Sequence, residues 1–565
     1  MKRINYTILG ILFVSLILRL FSINFSLPVR FFGDEYIHLA NAFKMLSEHT
    51  LILDFSYLPN LFAYLLIPFI LIYSLLSMLF GVFGNLTELT EYVILHSENF
   101  LIISRIISAF FGLGSIYLAY KFAKDVYNKN VGYLSAILLS LVPLHLLLSQ
   151  SGQFWGPLTF LILLSFYLLY KLFKTNVNKY YWLSSLAIAF GFGMGYVAII
   201  VVLWFLIIHY FLFKNKKRKL FDKTFILSSL LLVIIIVLFA ISNPYALFRQ
   251  FGKGVGAIFN IFGASFDIPQ IATQHQQNNF VFVMFKNIPE VIWYNLYFIT
   301  IFVIYGIIDL FKKKDLWKNV SNYIIVAFPL FYLLISAIVY TKTPDRYLFP
   351  AFPFLIIIAA YGINKLFEKI KISKALKYAL VIIIVLPQVY FTLCYSSKLF
   401  KDSTFIEAKN WVESNLEVNT RIILDNTYPF YLTPSYQSLK LLEENNSQVL
   451  DTKLNYLLNN NQPGYFIYNF EKLDLSKLND VNAEYYIVAY YNESPLNEII
   501  NQNKNGLLDK YDMEKLIVFD SRKDKYIDKH ITKVFDDSVN NLITLFYQER
   551  LGPTIEIYRL NKKYE

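Results

Sequence analysis

Cysteine occurs once in the 565 residues. That residue, Cys394, lies in a hydrophobic run, so no disulfide can form within the chain, and cysteine usage says nothing about the compartment. Charge is scarce too, at 16% of residues, while 56% are hydrophobic. A soluble chain sits near half apolar. Here the excess is gathered into long uninterrupted runs, which excludes a soluble globular protein and points to an integral membrane one. No phosphate-cradling P-loop, zinc-ligand spacing, Ser-His-Asp signature, internal repeat or low-complexity tract stands out. The first span, from about Thr7 to Leu27 after Met1-Lys2-Arg3, lacks a small-residue cleavage site and reads as an uncleaved anchor.

The net charge of +12 might suggest a nucleic-acid partner, but its distribution argues against one. Residues 398–565 hold 20 Lys+Arg against 25 Asp+Glu, which leaves 32 against 15 in the rest of the chain. The positive charge sits in short loops between hydrophobic spans, where it orients a membrane protein. Basic loops at Lys121/Lys124/Lys129, Lys171/Lys174/Lys179, Lys214 to Lys219, Lys312 to Lys318 and Lys365 to Lys374 mark the cytoplasmic side. Between them, spans fall near 100–120, 131–148, 156–173, 181–213, 224–242, 291–311, 321–340, 346–364 and 376–396. The run 181–213 has basic loops at both ends and a Gly191-to-Gly195 break, which predicts two short helices in a hairpin.

Residues 59–83 are apolar enough to span, but counting them would put the first basic loop outside. With Pro59 and Pro68 they are expected to be re-entrant or interfacial. The result is a polytopic α-helical membrane protein of about 11 crossings, multi-pass in the cell membrane, with a cytoplasmic N-terminus. Residues 1–397 form its transmembrane domain, with outer loops 28–58, 149–155, 243–290 and 341–346. Residues 398–565 form an extracytoplasmic α/β domain. In it a helix-like 402–416 precedes strand-like Arg421–Asp425, Tyr485–Tyr491, Leu516–Phe519, Leu542–Tyr547 and Thr554–Tyr558.

The chemistry-bearing stretch follows the first span. Asp34 and Glu35 open a helical pattern in which Tyr36, Leu39/Ala40, Phe43 and Leu46 form one apolar stripe, while Asp34, His38 and Asn41 share another face. The bland reading is that Asp34, after Gly33, caps the helix. The functional reading makes it a general base that takes a proton from an attacking hydroxyl or amine. His38, one turn on, either bonds a neighbour or serves as a metal ligand. In the loop Ser149 to Pro157, which has no acid, Gln153 and Trp155 are candidates to bind sugar by hydrogen bonding and stacking, the alternative being that Trp155 is only an interfacial anchor.

Gly33-Asp34-Glu35-Tyr36, with Ala40 and the later Met45-Leu46, resembles the acidic motif of GT-C glycosyltransferases, nearest the branch of protein O-mannosyltransferases and lipid A aminoarabinose transferases. Leu58-Pro59-Asn60 resembles that family's His-Pro-Pro segment but lacks the histidine and one proline. Arg105 to Ser108 with Tyr117 and Tyr120 resembles its next helix, and Asn243-Pro244-Tyr245 the start of an outer loop. Pro344-Asp345-Arg346-Tyr347 with Pro350 and Pro353 is similar to its Arg-Tyr-Leu entry into a late helix.

The resemblance covers roughly residues 1–395 and implies a GT-C-like fold. It implies transfer of a sugar from a polyprenyl-phosphate donor to an acceptor protein, lipid or glycan at the outer membrane face. Asp34 would be the catalytic base with Glu35 beside it, and no cofactor would be required. Many relatives carry a second acid in the loop that here has none, so a divalent metal is not indicated. Arg346, Lys342 and Arg249 would bind the donor phosphate, Arg through its planar fork. His38, Gln153, Trp155, His275 and Tyr347 would bind substrate. Arg105 reads as a packing or interface residue. The rival readings are a flippase or transporter for a lipid-linked glycan, which would show mid-span charges and repeats, and a membrane-anchored sensor or adhesion protein in which Asp34 only caps a helix.

Overall fold

The computed structural model describes residues 5–21, 23–29, 34–53, 59–245, 280–312, 320–339, 345–370, 373–425, 432–445, 452–461, 463–469, 482–490, 511–522, 545 and 548–563. Among these, eight helices are long and apolar enough to cross a membrane, or ten spans if each of two bent pairs counts as one. The shorter apolar helix α1 (Tyr6–Leu20) stands beside them. Its one cation, Arg19, is fully buried. The guanidinium donates to the Ser15 and Ser140 carbonyls at 3.0 and 3.3 Å and lies 2.8 Å from His145 Nδ1.

Helices α2 (Glu35–Ser47), α3 (Leu61–Leu79) and α4 (Leu86–Leu95) follow. Asn85 caps α4 by accepting the Glu88 N–H at 2.9 Å. Helix α3 is one unbroken helix through Pro68 and is among the helices long and apolar enough to cross a membrane. At its start the Asn60 amide donates to the Ser242 carbonyl at 3.0 Å. Farther along, Tyr73 packs 5.2 Å from Phe100, and Phe83, beyond its end, lies 5.0 Å from Tyr92. The segment expected to be re-entrant or interfacial is thus one continuous helix of span length.

The chain then alternates between faces. Helix α5 (Leu101–Val126) runs away from the Asp34 face, and α6 (Lys129–Leu141) with α7 (Pro143–Gln150) brings it back. The single span expected over 131–148 is thus a broken one, bent by 63° where Pro143 supplies no backbone N–H. Helices α8 (Trp155–Thr175) and α9 (Lys179–Met194) go down and return. The glycine-marked hairpin forms as expected: α9 stops at Gly195, a short 3-10 turn follows, and α10 (Ile200–Lys214) departs, to be followed by α11 (Lys223–Ser242). On the far face Arg218 ties two turns together, binding Asn176 Oδ1 at 2.6 Å and its carbonyl at 2.7 Å.

Helix α12 (Ile288–Leu296) meets α13 (Ile299–Lys312) at a bend of 112°, so the expected span 291–311 is also broken. Helix α14 (Val320–Val339), the single turn Asp345–Leu348, α15 (Phe352–Lys369) and α16 (Lys374–Lys398) complete the membrane region. Helices α13 and α15 nearly touch backbones. A Cβ on Gly362 would lie 2.4 Å from the Phe302 carbonyl, and one on Gly306 2.6 Å from that of Ile358. Glycine at such crossings lets membrane helices approach closely.

Beyond α16 the chain becomes α/β. Helix α17 (Thr404–Asn415), β1 (Arg421–Asp425), α18 (Tyr436–Asn445), α19 (Thr452–Asn459), β2 (Phe466–Asn469), β3 (Tyr485–Tyr490), β4 (Tyr511–Phe519) and β5 (Thr554–Lys562) follow in order. The sheet order is β2-β1-β3-β5-β4, with β1 parallel to β2 and β3 and with β5 antiparallel to β3 and β4. Alternate residues feed two cores, as strand geometry requires. Ile422, Ile487 and Ile557 pack on the side of α17, while Ile423, Tyr486 and Tyr558 pack with Leu439 of α18 and Leu457 of α19. Strand β2 was not expected from the sequence. The strand expected at Leu542–Tyr547 lies outside the described residues except for Leu545.

Candidate active site

Asp34 is the last residue before α2, the position of a cap, but its side chain makes no capping hydrogen bond. Its Oδ2 lies 3.1 Å from Arg346 Nη2, with the Asp34 side chain 35% exposed and that of Arg346 16%. Arg346 belongs to the single turn Asp345–Leu348 and stands 5.4 Å over the Tyr347 ring. Tyr347 in turn meets Trp155 edge-on at 5.1 Å. Residues 34, 155, 346 and 347, drawn from three segments distant in sequence, are thereby brought into one cluster.

Glu35 has the opposite environment. It is fully buried, and its carboxylate accepts from Arg105 Nε at 2.5 Å, Arg105 Nη2 at 3.0 Å and the Gly152 N–H at 2.9 Å. Arg105, also buried, donates its remaining arm to the Ile23 and Phe25 carbonyls at 2.7 and 3.0 Å. The bidentate fork fixes orientation as well as charge. Only glycine fits at 152, because a Cβ there would lie 2.1 Å from Ser104 Oγ and 3.1 Å from Glu35 Cγ. Glu35, named with Asp34 as catalytic, is therefore closed to substrate and positions the loop instead. Arg105, read as a packing residue, is its lock. The signal available for it was a lone arginine in a 26-residue apolar helix.

His38 is buried between Phe62 and Phe154, with ring centroids 5.1 and 5.3 Å away, and neither ring nitrogen has a hydrogen-bond partner. Burial pushes its pKa down to about 3, so the imidazole is neutral. It does not share an open face with Asp34. Gln153 and Trp155 are buried as well, with the Gln153 side-chain carbonyl and the indole N–H left unpartnered. Among the described residues, no three His, Cys, Asp or Glu side chains gather into a metal-binding group. Arg249, His275 and Lys342 lie outside the described residues. An apolar groove of about 690 Å³ runs between α3, α5 and α8, lined by Phe69, Tyr73, Ile106, Phe110, Gly114 and Phe160 among others.

No curated protein matches the chain by sequence. Among solved structures, the archaeal oligosaccharyltransferase AglB from Archaeoglobus fulgidus, in complex with an inhibitory peptide and a dolichol-phosphate, is similar at 10% identity and a TM-score of 0.48, covering 95% of this chain and 77% of that one. ArnT from Cupriavidus metallidurans, bound to undecaprenyl phosphate, is similar at 10% identity and a TM-score of 0.46, covering 88% of this chain and 94% of that one. Residues 92–242, from the end of α4 through α11 and including Arg105, Gly152 and Trp155, match the family model of dolichyl-phosphate-mannose-protein mannosyltransferases, the family branch that the Asp34 and Arg346 motifs resemble.

Proposed function

We propose that the chain is a membrane glycosyltransferase that moves a sugar from a polyprenyl-phosphate donor to an acceptor hydroxyl or amine on the face of Asp34. The observation that carries this reading is the Asp34–Arg346 pair. An acid at a helix start that declines to cap it, and instead faces an arginine across the molecule, is held for another use. In the reaction Asp34 takes the acceptor proton as the acceptor attacks the anomeric carbon. The bond from that carbon to the phosphate oxygen breaks, and Arg346 neutralises the departing phosphate. Substrate entry opens the ion pair and gives each member its own ligand.

Further features support a lipid-borne donor at this face. The groove beside α3 is apolar enough for an isoprenoid segment. The basic turns, Lys121 to Lys129 and Lys214 to Lys219, lie at the opposite ends of these helices, which suits a cytoplasmic far face and an extracytoplasmic site and tail. The test is transfer from a radiolabelled polyprenyl-phosphate hexose in membranes holding the parent or Asp34→Asn. The expected outcome is transfer by the parent and a fall of about 10²- to 10⁴-fold in the variant, the usual size of a general-base contribution. Equal transfer by both would sink the assignment of the base. Absence of transfer by the parent with several donors would sink the reaction class.

A further inference from the structure

The α/β tail touches the membrane region at a place that bears on Asp34. Lys453, in the first turn of α19, puts its ammonium 3.0 and 3.3 Å from the two oxygens of Glu98. The side chains are 15% and 5% exposed, so this is a largely desolvated pair, unlike an ordinary surface bridge. One turn along α19, Tyr456 lies near Glu91 of α4, whose carboxylate raises the tyrosine's pKa. Leu95 adds an apolar contact to the tail core that includes Leu457. The segment from Glu91 to Glu98 is therefore strapped down by one tail helix.

The same segment is joined to α2 on its other side. Ser97 Oγ lies 2.7 Å from the Tyr36 hydroxyl, two residues past Asp34. Phe100 packs 5.3 Å from Phe43 of α2, and a turn later Arg105 grips Glu35. From Lys453 to the carboxylate of Asp34 the connection passes through Glu98, Ser97 and Tyr36 only. No part of the proposed chemistry uses these groups.

We propose that Lys453 is a positioning residue: α19 of the tail clamps the strap 91–98, and the strap sets the rotation of α2 that aims Asp34 at Arg346. The tail is then a working part of the site, beyond any role in holding an acceptor. The proposal rests on the transferase reading for its kinetic consequence but not for its structural one.

The test uses the purified full-length chain in nanodiscs, comparing the parent, Lys453→Met, Tyr36→Phe, the two combined, and the exchange Glu98→Lys with Lys453→Glu. Hydrogen exchange is read at residues 35–38 and 97–100. Lys453→Met is expected to speed exchange in both segments, and the charge exchange to restore it. Loosening at 97–100 with no change at 35–38 would overturn the clamp, whatever the enzyme does. Where the parent transfers sugar, kcat is expected to fall about 10- to 100-fold in either single variant with donor KM within about twofold, as small misplacements of a reacting group do. The double variant is expected to be no worse than the single ones, because one path carries both effects. Independent, multiplying losses would overturn it, as would a kcat untouched by Lys453→Met. A parent that transfers nothing sinks the reaction class alone, and the exchange measurement still decides the clamp.

Discussion

Two carboxylate–arginine pairs start from consecutive residues of this chain and end in opposite conditions. Asp34 meets Arg346 at 3.1 Å with a third of its side chain open to solvent, whereas Glu35 meets Arg105 at 2.5 Å with both partners sealed. Consecutive positions at a helix start point about 100° apart. One therefore faces the cleft and the other the contact of α2 with α5. The difference teaches that an acidic pair in sequence need not be a catalytic pair. A carboxylate with every oxygen bonded and no water has no proton to take, while one held loosely by a single cation can exchange it for a substrate.

The comparison breaks most sharply at Asp34, where Asn is expected to abolish most transfer while leaving the fold intact, as measured by thermal unfolding beside the transfer assay. The sealed pair should answer in the other currency. Glu35→Gln or Arg105→Met is expected to lower stability by about 3–5 kcal/mol, because each strands a buried charge. Arg105→Lys should rescue little, since an ammonium cannot reproduce the fork that also reaches the Ile23 and Phe25 carbonyls. Unfolding that is unchanged in these variants would show the pair to be dispensable. On the open side, Arg346→Lys keeps the charge but loses bidentate phosphate recognition. A rise in donor KM of about tenfold is expected there, with stability unaffected. An unchanged KM would remove Arg346 from the donor site.

A further effect concerns pH. His38 is held at a pKa of about 3, below the ordinary value near 6.5. Between those values the unfolded chain binds a proton that the folded chain refuses, so stability is full above about pH 6.5 and declines as pH falls toward 3. From pH 6.5 to 5 the loss is about 2 kcal/mol, at about 1.4 kcal/mol per pH unit. His38→Phe should flatten that slope in pH-dependent unfolding, and a slope that persisted would place its origin in another group.

Much of this was legible from residue order alone. Long apolar runs and basic loops gave the membrane region, and the break at Gly195 was marked by its glycines. Asp34, Arg346, Tyr347 and Trp155 carried enough local pattern to be named before their contacts were known. What stayed hidden depends on contacts distant in sequence. Glu35 looked equivalent to Asp34 because nothing local reveals that Arg105, 70 residues on, takes both its oxygens. His38 has a helical neighbour relation to Asp34, but the aromatic wall of Phe62 and Phe154 removes it from water. Gly152 looked like a loop glycine and is a fit to Ser104 and Glu35. The two helix breaks, at Pro143 and near Tyr297, escaped notice because apolarity continues through them.

The arginine at the end of α1 sets an order of assembly. An arginine at the centre of a lone helix costs roughly 2.5–3.5 kcal/mol to insert in a bilayer, and even near a helix end some cost remains until partners arrive. Its partners outside α1, the Ser140 carbonyl and His145 Nδ1, flank the break between α6 and α7. They are synthesised more than a hundred residues later. Helix α1 therefore leaves the ribosome well before these partners, and it must stay near the insertion machinery or snorkel at the interface until the broken helix docks. Helix α1 waits for a segment made more than a hundred residues after it.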